Sequence, residues 1–138
     1  GSARIIAGEL AGTRGPARTF TPMQVWDLRL LGGQASELVL PDGWTTALVV
    51  LRGALRLNGS ETVGAAEVGI FDRAGTRIAI DSEQDTTALL LCGEPIDEPI
   101  VGQGPFVMNS VAEIRQAIAD YQSGRMGHLA RGRGRGNG

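Results

Sequence analysis

Hydrophobic and polar residues alternate with period two through much of the chain, and each alternating run stops at a turn signal. Val25 to Leu31 sets the pattern, with Trp26, Leu28 and Leu30 on one face and Asp27 and Arg29 on the other, as a strand with one buried face requires. Arg4 to Glu9 predicts an earlier strand, and Gly12 to Pro22, punctuated by Gly15-Pro16 and Thr21-Pro22, predicts a loop. Ser36 to Leu40 ends at Pro41-Asp42-Gly43, and the β-branched-rich run Thr45 to Leu51 ends at Gly53. Ala54 to Leu57 meets Asn58-Gly59, the pair favoured in a type I′ hairpin, and the chain returns through Glu61 to Val63. Val68 to Phe71, Arg77 to Ile80 and Thr86 to Leu91 bring the total to about eight or nine strands, and short strands at turn-delimited spacing imply an antiparallel sandwich or barrel.

The period changes once. Ser110-Val111-Ala112-Glu113 has the form of a capping box, and Val111, Ile114, Ile118 and Tyr121 make one apolar stripe before Gly124. The pattern predicts a single short C-terminal helix with that stripe buried. Between the last strand and the helix lies Cys92 to Asn109, a connector rich in Pro and Gly. Pro95, Pro99 and Pro105 hold the residue before each out of the α region, and Gly93, Gly102 and Gly104 allow turns that side chains forbid.

The 138 residues suit one domain, and 42% hydrophobic residues are enough for one core. Gly1-Ser2 reads as a remnant of tag removal. No run approaches the roughly 18 to 20 apolar residues of a membrane span, so the expectation is a cytoplasmic protein without a membrane partner. A net charge of −2 offers no general attraction for nucleic acid. All 13 basic residues are Arg, three of them in the short tail Arg131-Gly132-Arg133-Gly134-Arg135. That tail lacks the aromatics of an RNA-binding segment, so residues 130–138 are expected to be disordered. The single Cys92 has no disulfide partner and ends an apolar run, the position of a small buried hydrophobe.

The connector carries more than turn chemistry. Its wording, Gly93-Glu94-Pro95 through Glu98-Pro99-Ile100 to Gly104-Pro105-Phe106-Val107-Met108-Asn109, followed by Asp120-Tyr121 and Gly124, closely resembles the end of the pirin family. Ile6-Ala7-Gly8-Glu9, Gly15-Pro16 and Thr21-Pro22 resemble the entry into the second half of pirins. Pirins are two cupin domains in tandem, and the resemblance spans most of residues 3–129 as the C-terminal one. It implies an all-β, cupin-type jelly-roll barrel or sandwich with one short C-terminal helix. It also implies that iron belongs to an N-terminal domain that these residues do not include.

Cupins usually show G-x5-H-x-H-x3–4-E-x6-G, in which two His and a Glu converge on a divalent metal. With Gly33 and Gly53 as the outer glycines, the ligand positions fall on Val39, Pro41 and Thr46; the second cupin motif, near Arg73-Ala74-Gly75, puts its His position on Ile78. None of these is a useful ligand, and a site needs about three or four converging N, O or S donors. The expectation is a degenerate site without metal or other cofactor in this chain. His128 is the one His and lies beyond the helix, so no Ser-His-Asp or Cys-His arrangement is spaced for catalysis. Asp81, Glu83 and Asp85 could hold a hard cation, but an acidic solvated turn is the ordinary reading. Trp26, Trp44 and the Phe residues are candidates to line a small-molecule pocket in the barrel, although large aromatics more often simply fill it, and Glu94, Pro95, Glu98, Pro99, Phe106, Met108 and Asn109 are the candidate family-motif residues.

Two functions fit the resemblance. One is a non-catalytic, metal-free cupin domain that supports a partner cupin domain or acts as a protein-interaction module, with a homodimer through strand faces near Arg4 to Leu10. The other is a component of a pirin-type quercetin 2,3-dioxygenase whose activity resides in the iron-binding domain.

Overall fold

The computed structural model describes residues 1–129; the expected disordered tail, 130–138, lies outside them. Thirteen strands and one helix follow in order: Ser2–Ala7 (β1), Glu9–Leu10 (β2), Thr13–Arg14 (β3), Met23–Leu30 (β4), Gln34–Val39 (β5), Thr45–Arg52 (β6), Ala54–Leu57 (β7), Glu61–Gly64 (β8), Val68–Phe71 (β9), Arg77–Ser82 (β10), Thr86–Gly93 (β11), Val101–Gln103 (β12), Phe106–Met108 (β13) and Val111–Gln122 (α1). They form two compact units, Gly1–Ile96 and the residues from Asp97 onward.

The first unit is a sandwich of two antiparallel sheets, one of five strands ordered β1-β4-β11-β6-β9 and one of four ordered β5-β10-β7-β8. Their inner faces supply one core. Trp26, Leu28, Leu48, Val50, Ala88, Leu90 and Cys92 come from the larger sheet, and Leu38, Leu55, Leu57, Val63, Ile78 and Ile80 from the smaller. The alternation that predicted the strands is thus what fills the interior. Asp27 departs from it. Placed on the solvent side by its period, it is only 8% exposed, and its carboxylate accepts from Arg4 at 3.0 Å and Arg29 at 3.2 Å.

The predicted loop from Gly12 to Pro22 holds structure of its own. Thr13–Arg14 pairs with Glu9–Leu10 around Ala11 and Gly12, both at positive φ (48° and 79°), the geometry of a type I′ turn. Beyond it, the amides of Gly15 and Ala17 donate to the carbonyls of Gly8 and Ile6. Gly15 is needed for that approach, because a Cβ there would lie 2.5 Å from the Ile6 carbonyl carbon. Asn58 and Gly59 take positive φ as predicted, although pairing starts at Leu57–Glu61 and leaves Ser60 in the loop.

In the second unit, the later part of the connector forms a hairpin. Val101–Gln103 pairs with Phe106–Met108 across Gly104-Pro105, and α1 lies against both strands. Ser110 caps the helix, its Oγ accepting from the Glu113 amide at 3.2 Å. The Glu113 carboxylate reaches back to the Asn109 amide at 3.0 Å, one residue earlier than in the standard box. The stripe is rotated from expectation. Ile114 and Ala117 are buried, whereas Val111 is 52% and Tyr121 68% exposed; the edge of the Tyr121 ring meets Phe106, centroids 6.2 Å apart. No helix among the described residues is long and apolar enough to cross a membrane.

Candidate functional site

One end of the sandwich is built by the β5–β6 turn and the β9–β10 loop, and three hydrogen bonds tie these segments together. The Gly75 amide donates to Asp42 Oδ1 at 2.7 Å, the Gly43 amide to the Arg73 carbonyl at 2.8 Å, and the Leu40 amide to the Thr76 carbonyl at 2.8 Å. Between them opens a cavity of about 200 Å³. Leu40, Thr46 and Ile78, all buried, line it together with half-buried Trp44 and Phe71, and exposed Pro41, Asp72 and Arg73 border it.

Three of the four degenerate ligand positions therefore meet at one cavity: Pro41, Thr46 and Ile78. Val39 does not join them. It projects outward, 59% exposed, while its neighbours Leu38 and Leu40 turn inward, because the side-chain period along β5 is two. The residues do not fit a metal. A proline and an isoleucine offer no side-chain donor, and the Thr46 hydroxyl donates to Cys92 Sγ at 3.2 Å. Among the described residues, no three His, Cys, Asp or Glu side chains are grouped to hold an ion.

Burial pushes the Cys92 thiol up from its ordinary range, and the hydrogen bond from Thr46 partly opposes that shift. The thiol is therefore held protonated and is a poor nucleophile. The two tryptophans divide the roles proposed for them. Trp26 is 1% exposed and fills the core, its Nε1 without an acceptor among the described residues. Trp44 lines the cavity and borders a wider depression beside Gly15, Met23 and Gln24 on its other side.

The family-motif residues lie elsewhere and are structural in their contacts. Asn109 Nδ2 donates to Glu98 Oε2 and to the Pro99 carbonyl, each at 2.9 Å, so the motif ties the start of the hairpin segment to the helix entry. Phe106 and Met108 are half-buried on β13. The Glu94 amide donates to the Pro22 carbonyl at 3.1 Å, and half-buried Pro95 follows it. The acidic trio is dispersed: Asp81 and Glu83 face Arg56 at 3.6 and 3.8 Å, and Asp85 Oδ1 accepts from the Gly32 amide at 3.0 Å. Phe71 is the one Phe of the candidate liners that reaches the cavity, and the contribution of Asn58 was not legible in the sequence; Asp42 in its Pro-Asp-Gly turn was the available signal for the latched loop.

Comparison with known proteins agrees with this architecture. A family model described as the pirin C-terminal cupin domain matches residues 25–127. A Pseudomonas aeruginosa protein named "Putative quercetin 2,3-dioxygenase" is 48% identical over 125 residues, 91% of this chain and 43% of that protein. Pirin-1 of Arabidopsis thaliana is 35% identical over 130 residues, 90% of this chain and 45% of its own length. The crystal structure of a quercetin 2,3-dioxygenase from Acinetobacter baumannii superposes with a TM-score of 0.87 at 44% identity, over 93% of this chain and 44% of that one. The chain thus spans less than half the length of the relatives it matches. With a cupin sandwich, the connector motif and the family match in agreement, the chain belongs to the pirin family, where it corresponds to the C-terminal cupin domain.

Proposed function

We propose that residues 3–129 act as a metal-free, non-catalytic cupin domain that supports a partner cupin domain or serves as a protein-interaction module. The observation that carries this reading is the donor set at the mouth of the sandwich. Pro41, Thr46 and Ile78 meet where metal ligands would converge, and the one hydroxyl among them is committed to Cys92. Cytoplasmic residence belongs to the same reading, as does a homodimer through the Arg4 to Leu10 region. In support of the latter, β1 is an edge strand whose Ile6 carbonyl, with that of Gly8 just beyond the strand, is covered by the Gly15–Ala17 segment, leaving the Ser2–Ile5 portion open for pairing. The outer face of the same sheet is apolar, with Val25, Leu91, Ala47 and Ile70 aligned across four strands.

A second reading is favoured by the 44% identity to the Acinetobacter baumannii quercetin 2,3-dioxygenase. It makes the chain a component of a pirin-type dioxygenase whose iron and activity reside in another domain. Both readings expect this chain alone to leave quercetin unchanged. Aerobic incubation with quercetin and ferrous iron, followed by the loss of flavonol absorbance, is the test. Turnover above the protein-free rate, retained after repurification, would overturn the non-catalytic assignment.

A further inference from the structure

The cavity at the sandwich mouth has the attributes of a small-molecule site, and they stand apart from the proposed supporting role. Its volume, about 200 Å³, exceeds that of a dry cavity known to take benzene, about 150 Å³, and falls below the usual range for drug-sized ligands of about 300–1,000 Å³. One ring with a short substituent is the size that fits. Half-buried Trp44 and Phe71 supply aromatic surface, Leu40 and Ile78 lie buried behind it, and the rest of the lining is mostly polar. The rim is pre-organised by the Asp42–Gly75, Gly43–Arg73 and Leu40–Thr76 hydrogen bonds, so little ordering remains for a ligand to impose.

Charge then narrows the class. Arg73 and Arg77 are the cations on the lining and Asp72 the one anion. The Arg77 guanidinium is held by Glu37 at 2.7 Å, whereas Arg73 takes part in none of the ion pairs among the described residues. An uncommitted guanidinium beside an aromatic slot suits a carboxylate, which it can grip with two parallel N–H donors. Asp72 beside it disfavours a second negative charge. We infer that the cavity bounded by Trp44, Phe71 and Arg73 binds a single-ring aromatic monocarboxylate.

Benzoate is the probe, with the dianion phthalate and the cation benzamidine for comparison. Each is titrated into the ¹⁵N-labelled chain while the backbone amides of residues 71–77 and the Trp44 indole N–H are followed. The inference expects saturable benzoate shifts confined to those signals and binding roughly tenfold weaker for either comparator. R73Q, on the exposed rim, keeps the folded spectrum and lowers benzoate affinity roughly tenfold, the worth of one charge-assisted contact. Absence of saturation at tens of millimolar benzoate, equal response to all three probes, or an unchanged affinity in R73Q would each overturn the assignment. None of these outcomes bears on quercetin turnover, so this site and the proposed function fail separately.

Discussion

Replacing Ile114 by Ala tests the helix packing directly, because sequence and structure disagree about which face is buried. Ile114 is 1% exposed, and the substitution deletes three carbons. At about 0.8 kcal/mol per buried methylene the transfer loss alone is about 2.4 kcal/mol, and the unfilled space beside the helix brings the expected cost to about 2–4 kcal/mol. Val111 belongs to the same sequence stripe but is 52% exposed, so V111A should stay within about 0.5 kcal/mol of the parent. Urea denaturation monitored by circular dichroism separates the two. With a slope of about 2 kcal/mol per molar urea, I114A should lower the midpoint by about 1–2 M and V111A should scarcely move it. Equal costs at both positions, or an unchanged midpoint for I114A, would refute the rotated face.

Other outcomes follow from single contacts. Gly53 has φ 83°, and a Cβ there would lie 2.7 Å from the Asp85 carbonyl oxygen and against Thr86 Oγ1; G53A should cost at least about 1–3 kcal/mol, which a thermal melt would register. The raised Cys92 thiol pKa stabilises the fold only while both states remain protonated. That contribution is intact below the unfolded thiol pKa, about 8.5, and is lost as pH rises through the higher folded value. C92A should therefore lose less stability than the parent between pH 8 and 10, in denaturation series run side by side. The homodimer is checked by light scattering over a concentration series, where a strict monomer at high micromolar concentration would remove that part of the proposal.

The strands were readable because an inner face must be apolar and the side-chain period is two; Trp26 and Leu28, Leu48 and Val50, and Leu90 each fall where that rule puts them. Asp27 broke it because Arg4, 23 residues away in sequence, reaches the carboxylate only after β1 and β4 pair. The β2–β3 turn was missed because Ala11 occupies a left-handed position without a Gly or Asn to announce it. The helix stripe was misplaced because spacing alone counts Val111 and Tyr121 as buried and passes over the small Ala117, whereas Ala117 packs inward beside Ile114 and the Tyr121 ring meets Phe106 with most of its side chain in water. Motif spacing led to Pro41, Thr46 and Ile78 at the cavity, whereas Val39, which the same spacing named, lies out of phase with the inward face of β5. Phe71 reaches the cavity through the pairing of β9 with β6, opposite Thr46, whereas Asp72 and Arg73 join it through the latch between two loops, a contact that leaves no periodic trace.

The central claim concerns metal, and metal content measures it most directly. The chain is expressed in medium supplemented with iron, manganese and zinc, purified without chelators and subjected to elemental analysis. The donor set at Pro41, Thr46 and Ile78 predicts metal well below one atom per chain, unchanged by replacing His128 or the acidic residues Asp81, Glu83 and Asp85. One tightly held atom per chain, lost on any of those replacements, would contradict the account.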